Sequence, residues 1–96
     1  MNQYYEAIIQ IRPQREEVIA FALANIAKRK DVFISKTIKL KTGIDIYISS
    51  QRFARALGVQ LKRRFRGEVK ITRRLYGVSR ETSKTLYRVT VLFRAE

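Results

Sequence analysis

Apolar residues recur at every second position between Tyr4 and Arg12. Tyr5, Ala7, Ile9 and Ile11 fall on one side and Glu6, Gln10 and Arg12 on the other, which predicts a strand with one face buried. Pro13 ends it and suits the first turn of a helix, with Glu16 and Glu17 where the N-terminal dipole favours acids. The period then becomes helical as far as about Lys30. Ile19, Ala22, Leu23 and Ile26 supply the buried stripe, and Lys28, Arg29 and Lys30 sit at the C-terminal end.

Alternation returns over Asp31 to Lys41, with Val32, Ile34, Ile38 and Leu40 in phase and Phe33, Ser35, Thr37 and Lys39 opposite. A turn around Thr42-Gly43 leads into a strand whose Ile44, Ile46 and Ile48 face inward and whose Asp45 and Tyr47 face outward. These two strands form a predicted hairpin. Ser49 or Ser50 caps a second helix of about 16 residues, stopped by Gly67. Val69, Ile71 and Leu75 mark a fourth strand. The polar stretch from Ser79 to Lys84 turns into a fifth, where Tyr87, Val89, Val91 and Phe93 alternate with Arg88, Thr90 and Arg94. Lys36 and Arg73 break the pattern on the apolar phase, as a β-bulge or a strand outrunning its helical cover would explain.

The order β-α-β-β-α-β-β is an α+β arrangement. Its first six elements are the split βαβ of ferredoxin-like folds, with a fifth strand added by a hairpin. Right-handed crossovers then put both helices on one face of an antiparallel sheet and leave the other face open. One domain spans residues 1–96, because a chain of this length divides into no second core.

Composition narrows the chemistry. The chain has no Cys and no His, which removes disulfides, thiol nucleophiles, the usual zinc ligands and His-based proton transfer. No enzyme and no cofactor is expected, and no apolar run has the length of a membrane span. The formal charge is +13. Residues 1–48 hold 8 basic and 5 acidic side chains, whereas residues 49–96 hold 13 and 3. A solubilising coat would be more even, so the second half reads as a surface for a polyanion, nucleic acid above all.

The second helix concentrates that charge. At 100° per residue, Arg52, Arg55, Lys62, Arg63 and Arg66 gather in one arc opposite Phe53, Ala54, Leu57, Leu61 and Phe65, and no acid lies between Ser49 and Gly67. Like charges on one stripe repel until phosphates meet them, so these residues are the candidate grip, supported by Lys70, Arg73 and Arg74. The open sheet face is the second candidate. By alternation it displays Phe33, Tyr47 and Tyr76 among Lys39, Lys70, Arg74, Arg88 and Arg94, which could stack unpaired bases there, while Ile8, Leu86 and Leu92 on the same face suit docking of another domain or a protein. A nuclease must rely on Glu6 and Asp45 as a carboxylate pair, and Arg12 stands where a ferredoxin-like metal nuclease of this size carries an acid.

Tyr5-Glu6-Ala7-Ile8-Ile9-Gln10-Ile11-Arg12 resembles the strand after the zinc-binding region in the nonsense-mediated mRNA decay protein three family, the large ribosomal subunit export adaptors. Gly43-Ile44-Asp45-Ile46-Tyr47-Ile48-Ser49-Ser50, with Phe53-Ala54 and Leu61 after it, resembles that family's Gly-to-Ser-Ser segment and helix. Leu75 and Thr85-Leu86-Tyr87-Arg88-Val89-Thr90-Val91 resemble the following hairpin in its archaeal form. The resemblance implies a cytoplasmic middle domain that binds rRNA of the large ribosomal subunit and acts in subunit assembly. Ribosomal proteins and an adjacent zinc-binding domain are the further partners it implies. The family's four Cys-pair zinc motifs and its shuttling signals have no counterpart in these residues, so those roles are not carried over. The resemblance fits either an excised middle domain or a short archaeal relative. An architectural DNA-binding protein of a thermophilic archaeon is the alternative built on the same charge.

Overall fold

The computed structural model describes residues 4–78, 81 and 85–96, without the side chains of Tyr76 and Thr85. The elements are β1 (Ala7–Arg12), α1 (Glu16–Ala27), β2 (Ile34–Leu40), β3 (Gly43–Ile48), α2 (Gln51–Arg64), β4 (Gly67–Val78) and β5 (Thr85–Ala95), in the order the patterning predicts. The polar stretch assigned to the last turn lies almost wholly outside the described residues. Pro13 is not in the first helical turn. It follows Arg12 through a cis peptide bond, and α1 begins after Arg15.

The sheet order is β2-β3-β1-β5-β4. β1 runs antiparallel to β3 but parallel to β5, and β4 pairs with β5 alone at the far edge. This corrects the expected ferredoxin-like antiparallel sheet: the sheet is mixed, and β5 stands between β1 and the strand that follows α2. The physical reason is burial. Val89, Val91 and Phe93 are fully buried, the pattern of a central strand, whereas β4 alternates Val69 and Ile71 with Lys70 and Thr72, and Ile71 is 45% exposed.

One core lies between the sheet and both helices. Ala7, Ile9 and Ile11 of β1, Ile44, Ile46 and Ile48 of β3, and the β5 residues meet Val18, Ala22 and Ile26 of α1 and Phe53, Ala54, Leu57 and Leu61 of α2. Gly58 lets α2 lie close on the sheet, since a Cβ there would stand 2.8 Å from Val91 Cγ1. Gly43 opens β3 with φ +155, and a Cβ would strike the Ile11 carbonyl oxygen, so the β2–β3 turn admits no side chain there.

The edge strand β2 departs from its expected burial. Val32, ahead of it, is buried, but Ile34, Ile38 and Leu40 are exposed. The register shifts between Ile34 and Lys36, the bulge anticipated at Lys36. Beyond it Lys36 pairs with Tyr47 and Ile38 with Asp45, so the even-numbered residues join the open face and Thr37 and Lys39 take the helix-side phase. Arg73 has the other anticipated cause. It lies opposite Val89 on the helix-side phase, where β4 outruns the helices and Leu75 is 54% exposed.

Candidate nucleic-acid interface

The base of the candidate interface is the start of α2. Ser50 adopts an extended conformation and its Oγ accepts a hydrogen bond from the Phe53 amide at 3.1 Å. Glu6 adds a second acceptor, its Oε1 taking the Gln51 amide at 3.0 Å. Two amides that the helix leaves without internal partners are thereby satisfied. Burial of Phe53, Ala54, Leu57, Gly58 and Leu61 then sets the rotation of the helix.

The opposite side presents Arg52, Arg55, Lys62 and Arg63 to solvent, with Val59 among them; Arg64, outside the expected arc, is exposed as well. Arg52 to Arg63 extend over about 16 Å of helix. The ion pairs among the described residues are Arg12–Asp45, Arg15–Glu17 and Arg29–Asp31, none of them involving α2. The Arg29 guanidinium holds the surface carboxyl of Asp31 below its ordinary range through their hydrogen bonds. Lys62, Arg63 and Arg64 in the last turn suit the helix dipole, but Arg52 stands at the positive end, where a cation is disfavoured. Helix stability alone does not explain Arg52.

The structure divides the remaining candidates. Arg66 lies beyond the end of α2, exposed, with its carbonyl accepting from the Glu96 amide at 3.0 Å. Lys70 lies opposite Leu92 and Arg74 opposite Arg88, which puts both on the open face, away from α2. The Arg73 guanidinium carbon lies 4.6 Å from the Tyr87 ring centroid. Lys70 and Arg74 thus stand on the open face where alternation expects them, so they do not support the helix directly, and Arg73 lies on the other phase beyond the helical cover.

On the open face, Tyr47 and Arg88 belong to one cluster, which also contains Tyr5. The Tyr5 and Tyr47 rings meet edge to face at 4.9 Å, the Arg88 guanidinium carbon lies 4.0 Å from the Tyr5 centroid, and Lys36 Nζ lies 4.6 Å from the Tyr47 centroid. Burial, helped by Asp45 and Tyr5, pushes the Tyr47 phenol above its usual range. Phe33 is exposed ahead of β2, its carbonyl accepting from the Ser49 amide. The side chain of Tyr76 lies outside the described residues. Alternation puts Tyr5 inward, but a bend at Glu6 precedes β1 and breaks that parity, and no periodic signal marks it. Lys36 was missed as a partner of Tyr47 because only the bulge aligns them.

Glu6 and Asp45 do not come together. Glu6 is held at α2 and by the Tyr4 hydroxyl, while Asp45 lies opposite Gln10 and binds Arg12 at 2.5 Å. Arg12 also donates to the Ile44 carbonyl at 3.0 Å, so its site at the end of β1 is a structural ion pair. The carboxylate pair required for a nuclease is not assembled. Among the described residues no helix is long and apolar enough to cross a membrane. No curated protein gives a significant match to the chain. A family model described as NMD3, second domain, matches residues 4–94.

Proposed function

The chain belongs to the NMD3 family, as its second domain, and from that premise we propose that it is a non-enzymatic, cytoplasmic module that binds rRNA of the large ribosomal subunit during assembly. The family is linked to ribosome biogenesis. Ribosomal proteins and a neighbouring zinc-binding domain are the further partners of this reading. The observation that carries it is the outer face of α2: Arg52, Arg55, Lys62 and Arg63 exposed together, with no acid in the helix and, among the described residues, no ion pair to any of them. Such a row loses its self-repulsion when phosphates lie along it, and it positions a nucleic-acid backbone without reading bases.

Affinity for a large-subunit rRNA fragment, measured against salt, tests this. Four phosphate contacts give a slope of log affinity on log salt of about −3.6, which is roughly 150-fold between 50 and 200 mM. Arg55→Glu combined with Arg63→Glu should weaken binding at least about tenfold at low salt while the circular dichroism spectrum is retained. A slope near zero, or an unchanged affinity in the folded double variant, refutes the proposal. Duplex DNA that competes as well as the rRNA fragment would move the assignment to an architectural DNA-binding protein.

A further inference from the structure

Beyond Val69 the helix side of β4 lies open. Val69, Ile71, Arg73 and Leu75 stand opposite Phe93, Val91, Val89 and Tyr87, so they share the face on which α2 packs. The register shift between Leu75 and Gly77 returns Val78 to the same phase, opposite Thr85. Ile71, Leu75 and Val78 are all exposed. At the start of this strip a cavity of about 320 Å³ opens between α2 and β4, lined by Gly58, Val59, Lys62, Arg63 and Val69. Val59 adds a further exposed aliphatic side chain. Single surface aliphatics are ordinary, but a run along one face of an edge strand, continuous with a groove, marks a docking surface.

The groove is apolar at its base and cationic at its rim. Arg55 and Arg63 stand one turn before and after Val59 on the same side of α2, with Lys62 beside them. Among the described residues no acidic side chain lines it. A second copy of the chain would bring the same cations, and +13 against +13 opposes that pairing. RNA would find phosphate partners at the rim, but Val59, Val69, Ile71 and Leu75 offer it neither a ring to stack on nor a hydrogen bond. An added strand would lie beside β4 in the plane of the sheet and leave these side chains uncovered. A helix above β4, next to α2, covers them, because helices pack on a sheet as a layer. Val69 to Leu75 spans about 20 Å, the length of about 13 helical residues.

We propose that this face takes one acidic amphipathic helix of a partner protein, set beside α2 as a third helix on the sheet. Its apolar stripe lies on Val59, Ile71 and Leu75, and carboxylates on its flank meet Arg55, Lys62 and Arg63. The inference goes beyond RNA binding, since it gives the domain a protein contact on the helix side of β4. Arg55, Lys62 and Arg63 serve both surfaces, whereas Ile71 and Leu75 belong to the docking face alone, so the two readings fail separately.

The probe is a synthetic helical peptide of about 14 residues, with Leu at every third or fourth position and Glu along its flank. It is titrated into the chain while the methyl shifts of Val59, Ile71 and Leu75 are followed. Those methyls should shift, and Ile71→Ser with Leu75→Ser should weaken binding by about tenfold. Both side chains are about half exposed, and Val59→Glu repeats the test on the helix surface without touching the sheet. Lys in place of the peptide's Glu should weaken binding as much. Affinity of the Ile71→Ser, Leu75→Ser chain for the rRNA fragment should stay within about twofold of the parent. No methyl shift at about 1 mM peptide, or equal binding of a scrambled peptide of the same composition, would overturn the proposal. A loss of rRNA affinity matching the loss of peptide would give the face to RNA and overturn it too. So would a dimer in sedimentation equilibrium that the same double variant dissolves. If the double variant keeps the peptide while Arg55→Glu with Arg63→Glu loses the rRNA fragment, the groove fails and the α2 reading stands. The reverse result leaves the groove standing and removes the α2 reading.

Discussion

The seating of α2 on the sheet depends on the missing side chain at Gly58, and replacing it sets two effects of known sign against each other. A Cβ built there would lie 2.8 Å from Val91 Cγ1 and 3.3 Å from Val69 Cγ1. Carbon atoms prefer separations of about 3.5–4.0 Å, so the first contact is too close by roughly an ångström. Val69 is partly buried near the sheet edge and can yield. Val91 is fully buried on β5, branched at Cβ, and has little room to turn. Overpacking of this kind costs about 1–3 kcal/mol. Against it, Ala in a helix interior is better than Gly by about 1 kcal/mol. Gly58→Ala should therefore destabilise by about 1 kcal/mol net, a fall in Tm of roughly 4–8 °C for a domain of this size.

The decisive measurement is urea unfolding of Gly58→Ala alone and again with Val91→Ala, which removes the crowded methyl. In that background the substitution should reverse sign and stabilise by up to about 1 kcal/mol, because only the helix preference is left. Equal destabilisation in both backgrounds would show that crowding against β5 is not the cause. Stabilisation in the parent would show that α2 does not lie so close to the sheet.

Ser50→Ala should cost about 1 kcal/mol in the same assay through loss of the cap on the Phe53 amide, and a variant as stable as the parent would refute that role. Tyr47 predicts an alkaline limit to stability. Its phenol is raised in the fold, so its contribution is complete below the ordinary value of about 10 and is lost as pH rises through the folded value. Stability measured against pH, with tyrosinate absorbance followed in parallel, should lose part of this alkaline slope in Tyr47→Phe. An unchanged slope would refute the assignment.

The strands and helices were legible because each has a local period. Ile44, Ile46 and Ile48 alternate as strand residues must, and Leu57 and Leu61 return to one side of a helix after a turn. The outer face of α2 was legible for the same reason, since its own packing fixes which residues point away. The open-face site was only half legible. Arg88 and Tyr47 follow strand parity, but Tyr5 reaches them through a bend and Lys36 through a bulge. Neither feature changes the composition of the segment, so periodicity carries no trace of them.

The chain order of elements, the cap at Ser50, the acid-free helix and the charge imbalance between the halves are properties of neighbouring residues, and the sequence alone determined them. Which strand lies beside β1 is a different kind of question. β4 and β5 pair with each other equally well whichever of them faces the centre, and the choice falls to β5 because Val89, Val91 and Phe93 fill the space under the helices while Lys70 and Arg74 keep access to water at the edge. That competition for burial is settled only when all layers pack together. It also brings β5 beside β1, with Thr90 opposite Ile8 and the Arg88 guanidinium against the Tyr5 ring, so tertiary structure alone decided that the open-face cations meet this aromatic cluster.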